Sequence, residues 1–156
     1  MSESELVRSA LNKAMALCSR REYCITDIRS KLESWEIDDN GIILIINSLI
    51  GDNFINEDRF AAAFVKDKFN YNRWGKVKIT AHLRSKKIPS QVITEALEAI
   101  DDETYLKVIK DLIAVHRRSV RARNNYELKA KLLRYGLSKG FESSILYDLL
   151  NVSDEE

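Results

Sequence analysis

Five aliphatic positions recur three times along the chain, and this repetition limits the folds open to it more than any other feature. Ile28, Leu32, Ile37, Ile46 and Leu49 match Ile79, Leu83, Ile88, Leu97 and Ile100 at a constant offset of 51. A third set, Leu128, Leu132, Leu137, Leu146 and Leu149, follows at an offset of 49. Within each set the spacings of three, four and five residues suit helices that bury one face, not strands that alternate. A period near fifty residues is the mark of a tandem array in which each unit is one supersecondary element. The expectation is an all-α chain of three tandem three-helix repeats, bounded at 1–51, 52–100 and 101–156 and stacked into an elongated, curved body.

The local signals agree. A first helix from about Glu3 to Cys18 carries Leu6, Ala10, Leu11, Ala14 and Leu17 on one face. Asp38, Asp39 and Asn40 lead a helix whose buried stripe is Ile42, Ile45, Ile46 and Leu49, and acids suit the positive end of its dipole. Asn56 caps a helix with Phe60, Phe64 and Val65 in its stripe; Trp74 and Gly75 then open a second, facing inward through Ile79 and Leu83. Pro89 marks a third helix start. In the last copy Asp101-Asp102-Glu103 opens a long helix with Tyr105, Ile109, Leu112, Ile113 and His116 along one side. The tail from Ser153 to Glu156 is acidic and is expected to fray.

Composition closes several alternatives. One proline and five glycines are too little punctuation for a sheet protein. The most apolar run, Ile42 to Ile50, is far too short to span a bilayer. The start of the chain has early acids and no continuous apolar core, so it reads as neither a secretory signal nor a transit peptide. Cys18 and Cys24, six apart with no further Cys, suit reduced core thiols in a cytoplasmic protein rather than a zinc site. His82 and His116 fall in separate repeats, and no glycine-rich phosphate loop or nucleophile elbow is present. The chain is expected to be neither an enzyme nor a cofactor or metal carrier. With its apolar stripes consumed by packing, it is expected to be a monomer.

What remains is charge. The formal net charge is only +1, yet it is unevenly spread. From Lys66 to Lys87 eight bases face one acid, Asp67, and from Arg117 to Lys139 eight bases again face one acid, Glu127. Lysine and arginine bind phosphate or carboxylate through charge-assisted hydrogen bonds and release counterions from nucleic acid, so two runs of net +7 read as a binding surface. Tyr23, Trp74 and Tyr126 recur near the start of each second helix, where an aromatic can pack in the core or stack on a base.

The segment FINEDRFAAAFV followed by RWGKVKITAHLRSKKI resembles the middle repeat of the RecX family, bacterial regulators of the recombinase RecA. SRREYCITDIRSKL is similar to the family's first-repeat signature and YELKAKLLRYGLSKGF to its third. Lys87 stands where the family usually has glycine, Trp35-Glu36 replaces a basic residue and glycine, and Gly136 stands where a bulkier residue is common. The resemblance implies tandem three-helix repeats that bind in the groove of the RecA filament on DNA and damp its ATPase and strand exchange, with roles in homologous recombination and DNA repair. It implies a partner-facing set of Arg73, Lys76, Lys78, Arg84, Lys86, Lys87, Arg121, Arg123, Lys129, Lys131 and Arg134. A plain DNA-binding helical protein and a helical scaffold for an acidic protein partner are the alternatives.

Overall fold

The computed structural model describes residues 2–151, so the acidic tail lies outside the described residues. These residues form nine helices and no strand: α1 (Glu3–Arg20), α2 (Ile25–Ser34), α3 (Asp39–Gly51), α4 (Glu57–Asn70), α5 (Lys76–Ser85), α6 (Ser90–Leu97), α7 (Asp102–Arg117), α8 (Asn125–Ser138) and α9 (Ser143–Leu150). The fold is all-α, as the periodicity requires. Side-chain caps set many of the starts. Asp38 accepts from the Gly41 amide at 2.8 Å, Asn56 from Arg59 at 3.0 Å, Asp101 from Thr104 at 2.9 Å and Asn124 from Glu127 at 2.9 Å. Each satisfies an amide that the helix itself leaves without a partner.

By contact the chain divides into two compact units, Met1–Phe64 with Leu83–Ala96 and Val65–His82 with Leu97–Glu156. In the first, α1 and α2 both pack on α3. Ile42, Ile45, Ile46 and Leu49 of α3 meet Ala10 and Ala14 of α1 and Ile28 and Leu32 of α2 in one buried cluster. Alanines in α1 let that helix approach closely. The inward face of α1 runs through Val7 rather than Leu6, which is exposed. Cys24 is buried here, and desolvation pushes its thiol up to about 11, which keeps it protonated and inert. In the second unit α8 packs on both α7 and α9. Tyr105, Ile109 and Ile113 of α7, Leu132 of α8, Phe141, and Leu146 and Leu150 of α9 are buried.

The third copy departs from the expected register. Leu137, aligned by sequence with the buried Ile37 and Ile88, is 45% exposed, and Phe141 takes the buried place at 1%. Helix ends show why. α2 closes with Glu36 at φ +62° and the Ile37 amide on the Leu32 carbonyl (3.1 Å); α5 closes with Lys87 at φ +62° and Ile88 on Leu83 (3.1 Å). α8 closes the same way, with Gly140 at φ +90° and Phe141 on Gly136 (3.1 Å). These are Schellman closures with a left-handed residue at the turn. The offset into the third copy is therefore 49 where α8 starts and 53 where it ends: α8 carries one additional turn. Gly136 then occupies the place of Leu32 and Leu83, and the vacated space is filled by Leu146, whose Cδ2 would stand 2.5 Å from a Cβ at Gly136.

Candidate phosphate-facing surface

The basic residues divide by what their charged ends meet. Arg73, Arg84, Lys87, Arg121 and Arg134 are exposed, and among the described residues none has a side-chain partner. Arg73 and Lys87 sit at φ +56° and +62°, so the turns after α4 and α5 each hold a charged residue in left-handed backbone. That conformation costs about 1–2 kcal/mol for a residue with a Cβ.

The other six are engaged. Lys86 turns its ammonium onto Asp27, 2.9 and 3.0 Å from the two carboxylate oxygens. Arg123 and Lys131 flank Glu127 at 2.8 and 3.1 Å, and Lys131 also donates to the Arg121 carbonyl at 2.6 Å. Arg123, and then Lys131, hold the Glu127 carboxyl below the usual range. Lys129 donates to the Asn151 carbonyl at 3.2 Å. Lys76 opens α5 with its amide donating to the Tyr105 hydroxyl at 2.9 Å and its ammonium 4.6 Å from the Tyr105 ring, 3.9 Å from Asp102. The Tyr105 hydroxyl in turn donates to Glu142, and burial, followed by that carboxylate, pushes the phenol far above its usual range. This chain ties the start of α5 to α7 and to the residue before α9.

Lys78 belongs to a different arrangement. Its ammonium lies 4.6 Å from the centre of the Trp74 ring, that of Lys68 lies 5.0 Å from the same centre, and the His82 ring is 4.5 Å away. Trp74 is half-buried and holds cations at its indole. Tyr23, at the matching place in the first copy, is buried, with Arg21 4.2 Å above its ring; Tyr126 is 73% exposed. The recurring aromatic thus has three different environments. Lys68, His82 and Lys139 were not in the partner-facing set that the resemblance implies, although Lys68 and Lys139 fall within the two basic runs. Lys139 comes from the far end of α8, and no local pattern points to it. Elsewhere on the second unit, Lys110, Arg117 and Arg118 edge an open cavity of about 620 Å³ floored by Ile113, Ala114 and Leu149.

Chemically these groups can neutralise anions. Among the described residues no group of three or more His, Cys, Asp and Glu stands ready for a metal ion, and no helix is long and apolar enough to cross a membrane.

Comparison with known proteins agrees with the repeat signatures. Residues 56–97 match the family described as "RecX, second three-helix domain". The regulatory protein RecX of Clostridioides difficile (strain 630) is 28% identical over 149 residues, covering 96% of this chain and 70% of that protein. The crystal structure of a regulatory protein RecX superposes with a TM-score of 0.85 at 24% identity, over 96% of this chain and 75% of the other. RecX from Lactobacillus salivarius gives 0.79 at 24% identity, over 98% and 99%. The two crystal structures attest the fold; the relatives are named as regulatory proteins.

Proposed function

The chain belongs to the RecX family, and from that premise we propose that it is a non-enzymatic, monomeric, cytoplasmic regulator that binds the RecA filament on DNA and damps its ATPase and strand exchange. The three repeats, with boundaries at 1–51, 52–100 and 101–156, are part of the same proposal. The observation that carries it is the set of exposed cations whose side chains have no partner among the described residues: Arg73, Arg84, Lys87, Arg121 and Arg134. A protein that needed lysine and arginine only for solubility would intersperse acids among them, whereas the two basic runs hold one acid each. Two of the five sit in strained left-handed turns, where glycine or asparagine would be the cheaper choice.

The test is the ATPase of a RecA filament formed on saturating DNA while this protein is titrated in. Arg73→Glu with Lys87→Glu and Arg121→Glu with Arg134→Glu should each abolish inhibition; Arg8→Glu with Lys13→Glu on α1 should retain it. Exposed charges contribute about 1 kcal/mol or less to folding, so thermal melting should hardly move in any variant. A filament regulator acts well below one copy per recombinase subunit. Inhibition that appears only when the protein coats the DNA would replace this reading with plain DNA binding.

A further inference from the structure

Two junctions in the molecule use matching backbone positions and opposite charge arrangements. In the first unit the start of α2 meets the turn after α5: the Thr26 hydroxyl donates to the Lys86 carbonyl at 2.9 Å, and the Lys86 ammonium pairs with Asp27. In the second unit the start of α5 meets the turn after α8: the Gly75 amide donates to the Lys139 carbonyl at 2.7 Å and the Val77 amide to the Gly140 carbonyl at 3.0 Å. The shared helix starts and helix ends put Lys78 where Asp27 stands and Lys139 where Lys86 stands. The acid–base pair of one junction is a pair of lysines in the other.

Among the described residues no carboxylate offsets that pair. Lys78 lies directly against Gly140, since a Cβ there would stand 2.2 Å from the Lys78 Cβ, and Lys139 is the preceding residue. The Lys139 ammonium donates to the Asn72 carbonyl at 2.8 Å. Among the described residues neither Lys78 nor Lys139 has a carboxylate partner. Burial, and after it the neighbouring Lys78, hold the Lys139 ammonium below its usual pKa. Lys68 shares the Trp74 indole with Lys78, its own acid neighbour Asp67 being 3.8 Å away and largely solvated. A like charge held nearby by a rigid backbone contact disfavours the ionised form of Lys139, and an anion arriving at the pair relieves it.

We propose that Lys68, Lys78 and Lys139, gathered around Trp74 and the Gly75–Gly140 contact, form a site for one phosphodiester of a nucleic-acid strand. Arg73, exposed and next to Trp74, supplies a cation for an adjacent phosphate, which a lone phosphate ion does not have. The site rests on the reading that this protein works on DNA, and it assigns Lys68 and Lys139 a role that reading leaves out. Trp74 serves as a platform for ammonium groups through its ring electrons and not as a surface for a stacked base.

The measurement is fluorescence anisotropy of labelled dT12 as a function of salt, with the Trp74 indole N–H followed by NMR. Lys78→Asp rebuilds the pairing of the first junction, so it should keep or raise the melting temperature while weakening dT12 about tenfold and lowering the salt slope by about 1.4, two single-strand phosphate equivalents. Lys78→Gln should weaken binding several-fold and lower the slope by about 0.7. It keeps the test open should the aspartate fold poorly. Arg8→Glu, an equal charge change on the exposed side of α1, should retain parent affinity. The parent should shift its Trp74 resonance with dT12, shift it less with inorganic phosphate, and ignore a methylphosphonate dT12. Parent affinity in Lys78→Asp and Lys78→Gln, tight binding of the methylphosphonate strand, or equal competition by hexa-aspartate would each overturn the site. No recombinase is present, so a negative result here leaves the ATPase titration standing, and the reverse holds too.

Discussion

The junction at the start of α2 and the junction at the start of α5 solve one geometric problem with different chemistry. At the first, contact is made by side chains: a threonine hydroxyl on the Lys86 carbonyl and a lysine on a carboxylate. At the second it is made by backbone alone, and two glycines allow the approach. A Cβ at Gly75 would lie 2.2 Å from the Gly140 carbonyl oxygen, and a Cβ at Gly140 would lie 2.7 Å from the Lys78 nitrogen. The side-chain junction tolerates Lys87 in its left-handed turn, whereas the backbone junction demands glycine at the equivalent place. Close backbone contact therefore leaves Lys78 and Lys139 without a carboxylate partner among the described residues, while the looser junction commits Lys86 to Asp27.

The strongest way to break this contrast is to put a methyl group into each turn. Gly75→Ala should cost about 3 kcal/mol in urea denaturation because a fixed backbone blocks the added carbon, and Gly140→Ala, where φ is also positive, about 4 kcal/mol or more. Lys87→Ala, at the matching place, should cost less than about 0.5 kcal/mol. Equal costs would mean that the two junctions are built alike. Next comes the register. Leu83→Ala and Leu132→Ala, both fully buried, should each cost roughly 2 to 5 kcal/mol, while Leu137→Ala should cost below about 1 kcal/mol. A large loss at Leu137 would remove the additional turn assigned to α8. The last effect is a gain: Lys87→Gly should raise stability by about 1 kcal/mol by relieving the left-handed lysine. At the same time it should weaken the recombinase effect assigned to the unpaired cations. A loss of stability would show that the lysine stem contributes packing at that turn.

Much of this was legible in the residues. The buried stripe of α3, the caps at Asp38, Asn56 and Asp101, and the burial of Ile28, Leu32, Ile79, Leu83 and Leu132 follow from spacing and helix chemistry. The third copy was misaligned beyond Leu132 because aliphatic residues at Leu128, Leu132 and Leu137 satisfy two registers four residues apart. One helical turn shifts the pattern with almost no change of face. The signal that separates the registers is Gly140, which marks the helix end, together with Gly136, whose missing side chain makes room for Leu146. The charge runs were visible as runs, but composition treats Arg73 and Lys86 alike, and they differ completely in what they meet.

Sequence by itself determined that this chain is helical, where its helices begin, which faces are buried and that its positive charge is concentrated in two stretches. Those properties are local: hydrogen bonding within a turn, caps within three residues and apolar spacing within a helix set them. Only tertiary structure decided which lysine is paired and which is not. Asp27 and Lys86 are 59 residues apart and Lys139 donates to a carbonyl 67 residues away, so their partners depend on how closely two backbones approach. At Gly75 and Gly140 that approach is set by the absence of two side chains, and the electrostatics of the surface follows from it.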